Sequence, residues 1–153
     1  LNLVDITKVA IFGNSAGGLT AINSLCEGDF FKVAICKYPV LDLNDMYQKT
    51  HRFERGYLNS LIGKYSKFRN EYKLRSPINK INALKKPILL FHGKKDLVVS
   101  YKQTLKVKDQ LLKNNKYSEV IFFDDEGHGF RNIDNKKMVL LKSEEFLKKS
   151  LDI

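Results

Sequence analysis

The chain alternates short apolar runs with stretches of helical periodicity. Lys8-Val9-Ala10-Ile11-Phe12 is rich in strand formers and stops at Gly13, which predicts a first strand. After Ser15, the residues Leu19, Ile22 and Leu25 recur at helical spacing, and Gly28-Asp29 breaks that helix. A second strand follows over residues 31–36 and is closed by Tyr38-Pro39. Residues 42–84 are less regular and predict short helices around 42–48 and 53–62, then a loop through Ser76-Pro77. Pro87 opens a third strand, Ile88-Leu89-Leu90-Phe91. Ser100 has the character of an N-cap for a helix with Tyr101, Leu105, Leu111 and Leu112 on one side. Residues 119–123 read as a fourth strand, and a final helix over about residues 134–149 is expected to bury Met138, Leu141 and Phe146.

Strands that alternate with helices predict an α/β architecture with a parallel sheet. Near-continuous apolar strands predict that both of its faces are covered. With no internal repeat and no linker, the 153 residues read as one domain. A composition of 43% hydrophobic and 29% charged residues with three prolines excludes disordered, collagen-like and coiled-coil classes. No apolar run approaches the roughly 18–20 residues of a membrane span, so no membrane partner is expected. The chain begins at Leu1 rather than Met, close to its first apolar run. That start leaves no room for a leader peptide and predicts a processed, excised or truncated chain.

The charge changes this picture little. There are 27 Lys and Arg against 17 Asp and Glu, a formal net charge of +10. The cations fall in dispersed pairs (Lys85-Lys86, Lys94-Lys95, Lys136-Lys137, Lys148-Lys149) without interleaved aromatics. A solvated surface, and no nucleic-acid partner, is the expectation. Cys26 and Cys36 form neither a CxxC pair nor a zinc quartet with the three histidines. Each lies in an apolar stretch, as free thiols do in a reducing cytoplasm, so a cytoplasmic location is expected.

Gly13-Asn14-Ser15-Ala16-Gly17 changes it more. A Gly-x-Ser-x-Gly pattern is weak by itself, but this one joins an apolar strand to a helix, where a nucleophile elbow stands. The turn projects the Ser15 hydroxyl, and side chains in place of the glycines are expected to collide with the adjoining strand and helix. It also aims the Ala16 N–H, unpartnered at a helix start, at the position an oxyanion would occupy. A serine needs an oriented base to take its proton. Asp96 follows the third strand and His128 the fourth, which gives the order Ser, Asp, His of α/β-hydrolases. All three lie past the carboxyl ends of strands, the edge where open α/β sheets place their sites. Gly127 and Gly129 are expected to give the His128 loop tight backbone geometry. His92, at the end of a buried strand, reads as a hydrogen-bonded structural residue, and His51 lies in the irregular region. Asp124 and Asp125 compete with Asp96 for the acid's role, but they sit too near His128 in sequence to reach around its ring.

Several blocks taken together carry a family resemblance. They are Gly13-Asn14-Ser15-Ala16-Gly17-Gly18, Thr50-His51-Arg52-Phe53-Glu54 with Tyr57-Leu58 and Leu61-Ile62-Gly63, Arg75-Ser76-Pro77-Ile78, His92-Gly93 with Asp96, and Glu126-Gly127-His128-Gly129-Phe130. The whole chain resembles the catalytic domain of the prolyl oligopeptidase family of serine peptidases, in particular its acylaminoacyl-peptidase-like branch. The resemblance implies an α/β-hydrolase domain that cleaves short peptides through an acyl-enzyme, with no metal or organic cofactor. It also implies that Phe53, Tyr57 and Leu61 are candidates to shape the substrate pocket, although their helical spacing suits core packing equally well.

Members of that family are longer, with an N-terminal β-propeller and then the first half of the hydrolase sheet. The present chain resembles the C-terminal half, from the nucleophile strand onward. By the family's strand order its first strand is then a bare edge, which predicts a homo-oligomer, another pairing across that edge, or poor solubility. The second oxyanion donor comes from an earlier loop in such folds, so the 153-residue chain alone is expected to be a feeble enzyme. Two other readings stand beside the peptidase: a carboxylesterase or thioesterase on the same fold, and a non-catalytic interaction fragment.

Overall fold

The structure, a computed structural model, describes residues 3–49, 52–114 and 117–153, without the side chains of residues 52–54. Four strands, β1 (Ala10–Asn14), β2 (Val33–Lys37), β3 (Ile88–Gly93) and β4 (Glu119–Phe123), form one parallel sheet in the order β1-β2-β3-β4. Between and after them run α1 (Ala16–Glu27), α2 (Leu43–Lys49), α3 (Arg52–Ile62), α4 (Tyr65–Arg75), α5 (Lys102–Asn114) and α6 (Ile133–Leu151). Two 3-10 turns, Pro77–Asn79 and Ile81–Ala83, lead from α4 back to β3.

Alternation along the strands divides the core into two layers. Ala34 and Cys36 of β2, with Ile88 and Leu90 of β3, pack against Ile22 and Leu25 of α1 and Val107 and Leu111 of α5. Val33, Ile35, Leu89 and Phe91 point the other way, onto Phe146 and Leu151 of α6. β3 is buried along its whole length, as a strand covered on both faces must be. β1 departs from that expectation: Phe12 is 59% exposed, and beyond β2 no described strand pairs with this edge. Both thiols are free; Cys36 is buried and Cys26 half-buried. Burial pushes the Cys36 thiol up to about 12, so it stays protonated and inert.

Two helix faces differ from the sequence expectation. In α6 the buried residues are Ser143, Phe146 and Leu151, while Met138 and Leu141 are 45% and 64% exposed. In α5, Gln103, Thr104, Val107 and Leu111 turn inward, and Leu105 and Leu112 face out. The polar pair on α5 is inward because each side chain has a buried task. Gln103 Oε1 accepts from the N–H groups of Leu41 and Asp42, and its Nε2 donates to Asp42 O and Asp45 Oδ2. Gln103 thereby fixes the chain where it leaves β2 for α2.

The segment over α2, α3 and α4 builds a third core around Val40, Leu43, Leu58, Tyr72 and Val99. It lies beside the carboxyl ends of the strands. Helix α4 lies where the sequence predicted no element. Tyr72 is its one buried residue, and a Tyr47–Tyr65–Tyr72 aromatic cluster holds it in place. Ser76 closes the segment: its hydroxyl donates to Tyr72 O and accepts from Leu43 N–H.

Candidate active site

β1 runs directly into α1 through one residue, Ser15, with φ 52° and ψ −120°. This is left-handed backbone for a non-glycine residue, sterically costly and found mostly where function or packing demands it. The elbow is pinned by its backbone: Ser15 N–H donates to Lys37 O, and Ser15 O accepts from Val40 N–H. The Ser15 side chain makes no capping bond to α1, which leaves its hydroxyl for another partner.

The glycines around the elbow are not equivalent. A Cβ on Gly13 would lie 2.2 Å from Gly17 O, and one on Gly18 would lie 2.6 Å from the Pro39 ring. A Cβ on Gly17 meets nothing within 4 Å. Steric demand therefore falls on Gly13 and Gly18, whereas the sequence motif had placed it on Gly13 and Gly17. Gly13→Ala is expected to lower stability by about 3 kcal/mol or more, since backbone must move to admit the methyl. Gly17→Ala is expected to leave stability unchanged or raise it by up to about 1 kcal/mol through helix propensity. Urea unfolding of the two variants side by side checks the contrast.

Ser15 Oγ lies 3.0 Å from His128 Nε2, and His128 Nδ1 lies 2.8 Å from Asp96 Oδ2. The three residues that the sequence selected are thus brought into one hydrogen-bonded line at the carboxyl end of the sheet. Asp96 is almost fully buried. Its Oδ1 accepts from the N–H groups of Val98 and Val99 at 2.9 and 2.8 Å. Burial acts to raise its carboxyl. The hydrogen bonds from His128, His92 and Val99, with the nearby His128 charge, outweigh that and hold it well below the usual carboxylate range. A buried carboxylate kept ionised beside an imidazole orients the ring through Nδ1–H and leaves Nε2 to accept a proton from Ser15.

The other acidic candidates lie elsewhere. Asp124 pairs with Lys94 at 2.6 Å, and Asp125 accepts from Asn132 and Asn135. His92 is wholly buried and bonded, as expected. His51 lies outside the described residues, as does the Phe53 side chain. Ala16 opens α1 and borders the same cleft as Ser15 and His128.

Glu126 is the site residue whose role the sequence did not reveal. Its buried carboxylate accepts from Arg131 N–H, Asn132 N–H and Asn135 Nδ2, three donors just beyond His128. Glu126 O also accepts from Lys95 N–H, and Phe123 O from Lys94 N–H. The loops that carry Asp96 and His128 are therefore tied by backbone bonds. Within the His128 loop, Gly129 has φ 95° and needs glycine's freedom, whereas no such angle occurs at Gly127. Phe130 anchors the loop against Phe123 and Tyr38, and the Tyr38 ring lies 4.7 Å from that of His128.

A cleft of about 930 Å³ opens from Ser15 and His128 toward α2 and α3. Leu19, Val40, Leu43, Met46, Leu58 and Ile62 line it, with Val98 from the Asp96 loop. Tyr57 and Leu61 also face it and are each 57% exposed, so neither is plain core.

A parallel sheet with helices on both faces, carrying a strained serine between its first strand and helix, defines the α/β-hydrolase fold. Among solved structures, that of a Mycobacterium tuberculosis puromycin-hydrolyzing peptidase superposes with a TM-score of 0.89 at 31% identity, over 97% of this chain and 22% of that one. The prolyl oligopeptidase family model matches residues 1–153, and the chain belongs to that family. It is 26% identical over 133 residues to YtmA, an uncharacterized peptidase of Bacillus subtilis (strain 168), covering 86% of this chain and 52% of that protein. It is 25% identical over 150 residues to dipeptidyl aminopeptidase BIII of Pseudoxanthomonas mexicana, covering 94% and 22% respectively. The chain spans about half or less of the length of these relatives.

Proposed function

We propose that the protein is a serine peptidase in which Ser15, His128 and Asp96 act as nucleophile, general base and orienting acid. The observation that carries this is the line Ser15 Oγ, His128 Nε2 and Nδ1, Asp96 Oδ2, with contacts of 3.0 and 2.8 Å. Membership of a peptidase family supports amide bonds of short peptides as the substrate class.

In this mechanism Ser15 Oγ attacks the carbonyl carbon as its proton passes to His128 Nε2. Asp96 stabilises the imidazolium without taking the proton. The negative charge that develops on the carbonyl oxygen is met by the Ala16 N–H at the start of α1. His128 then gives its proton to the departing amine, and the acyl group remains on Ser15. Water repeats the sequence and frees the acid. Ala16 supplies one oxyanion donor. Loss of one such donor costs about 10²–10³ in rate, which is the weight this reading places on the Ala16 N–H.

Covalent capture tests the assignment without relying on turnover. A fluorophosphonate is expected to form one adduct on Ser15 of the chain, located by peptide mass spectrometry. No adduct, or an adduct on another residue, overturns the reading. The apolar cleft beside Ser15 suits an aliphatic or aromatic side chain on the acyl side of the cleaved bond. A diphenyl phosphonate that carries a phenylalanine side chain is therefore expected to label Ser15 at least about tenfold faster than its glycine counterpart. Leu61→Asp is expected to erase most of that preference, and comparison of the two labelling rates checks it.

A further inference from the structure

His92 touches more of the site than its place in a buried strand suggests. Its Nε2 lies 2.9 Å from Val99 O and 3.4 Å from Asp96 Oδ2, and its Nδ1 lies 2.8 Å from Thr104 Oγ1. His92 and Thr104 are both fully buried, so these contacts have no competition from water. A ring nitrogen that faces a carbonyl and a carboxylate must carry the hydrogen, because both neighbours are acceptors. In a neutral ring Nδ1 then holds the lone pair, and the Thr104 hydroxyl donates to it. In that neutral ring the directions of both ring hydrogen bonds are then fixed.

The Val99 peptide completes the pattern. Its C=O accepts from His92, and its N–H donates to Asp96 Oδ1. His92 therefore reaches Asp96 at both oxygens: at Oδ2 by direct approach, and at Oδ1 through the peptide it holds. Oδ2 is also the oxygen that receives His128 Nδ1–H. Rotation about the Cβ–Cγ bond moves both oxygens together, and His92 restrains it at each, at Oδ2 directly and at Oδ1 through the Val99 peptide.

We propose that His92, as the neutral tautomer with hydrogen on Nε2, is a positioning residue that fixes the Asp96 carboxylate for His128. This rests on the role proposed above for Asp96. Val99 O and Asp96 Oδ2 set the tautomer, the Thr104 hydroxyl donates to Nδ1, and His92 meets the acid at Oδ2, the oxygen that also receives His128. His92 touches neither substrate nor Ser15, so its influence is exerted through Asp96 alone.

Nitrogen-15 labelling of histidine tests this directly, since the chain contains three histidines and the tautomer of each has its own nitrogen shifts. In the unsubstituted chain His92 is expected to show hydrogen on Nε2 and an acceptor Nδ1. Two variants add a functional readout. His92→Gln places an amide N–H near the position of Nε2, and His92→Leu fills the space without a donor. His92→Leu is expected to lose the far-downfield proton of the His128–Asp96 hydrogen bond and to slow fluorophosphonate labelling of Ser15 about tenfold or more. His92→Gln is expected to retain the proton and most of the rate, a rescue that a purely packing role would not produce. Hydrogen on Nδ1 of His92, or a His92→Leu chain with its downfield proton and labelling rate intact, overturns the proposal. If His92→Leu does not fold, the tautomer and the glutamine variant still decide. If Ser15 of the unsubstituted chain takes no label at all, the peptidase reading falls, while the tautomer and the downfield proton continue to report on His92.

Discussion

Alanine at position 15 is expected to abolish fluorophosphonate capture, a loss on the order of 10⁶-fold in reactions that pass through the serine. The size follows from chemistry: without Oγ there is no group at this place to form the covalent bond, and His128 has no proton to take. The change should leave the fold intact. The two bonds that pin the elbow, Ser15 N–H to Lys37 O and Val40 N–H to Ser15 O, belong to the backbone, and the side chain caps nothing. Alanine has a Cβ like serine, so the strained dihedral angles cost it no more. Thermal unfolding within a degree or two of the parent, together with complete loss of the adduct, is the expected pair of results. An adduct that survives the substitution would place the nucleophile elsewhere.

Asp96→Asn should be nearly as damaging, by about 10⁴-fold in the labelling rate. Consider the two ways an amide can sit in the acid's place. With its oxygen toward Val98 and Val99, its NH₂ faces His128 and His92, where hydrogens already point inward. With the amide reversed, its NH₂ faces two backbone N–H groups. The first arrangement is the less costly, and it turns His128 to the tautomer with hydrogen on Nε2. That nitrogen then cannot accept the Ser15 proton.

The same substitution has a signature in stability. Asp96 is held below its ordinary value of 3.8 in the folded chain, so its ionised form stabilises the fold at any pH above that value. The contribution fades as pH falls through the lower folded value, where the carboxyl takes up a proton in both states. Denaturant unfolding at pH 7 should therefore find the asparagine variant less stable than the parent, with the gap narrowing below about pH 4. A gap independent of pH would show that the charge of Asp96 does not contribute.

The fold was legible in the sequence where burial on both faces left a continuous apolar run. β3 is the clearest case: Ile88 to Phe91 admit no other reading, and all are buried. β1 was legible in kind but displaced. The run Lys8 to Phe12 marked it, whereas the ladder extends from Ala10 to Asn14 because pairing with β2 continues past Gly13 up to the serine. Helix α4 was not legible, since Tyr65–Arg75 is mostly charged and polar and holds its place through tyrosines contributed by two helices. The faces of α5 and α6 were misread for one reason. Apolar spacing finds a helix, but which side meets the sheet depends on partners distant in sequence, such as the backbone groups that draw Gln103 inward.

The proximity of Ser15, Asp96 and His128 was foreseeable because each follows a strand, and a parallel sheet brings all such ends to one edge. Glu126 and Thr104 were not. Their partners are backbone amides in one case and a histidine nitrogen in the other, and no local spacing announces either.

One vacancy in the elbow has consequences for how this site could diversify. Gly17 borders the cleft, yet nothing occupies the space where its side chain would be. Four of the six residues from Gly13 to Gly18 are committed: two by contact with backbone or ring, one as the serine, one as the amide beside it. Position 17 is under no such obligation. A Cβ introduced there meets no atom within 4 Å and so leaves the turn that presents Ser15 undisturbed. In the proposed peptidase, the border of the cleft at position 17 can therefore change while the geometry of Ser15, two residues away, is kept.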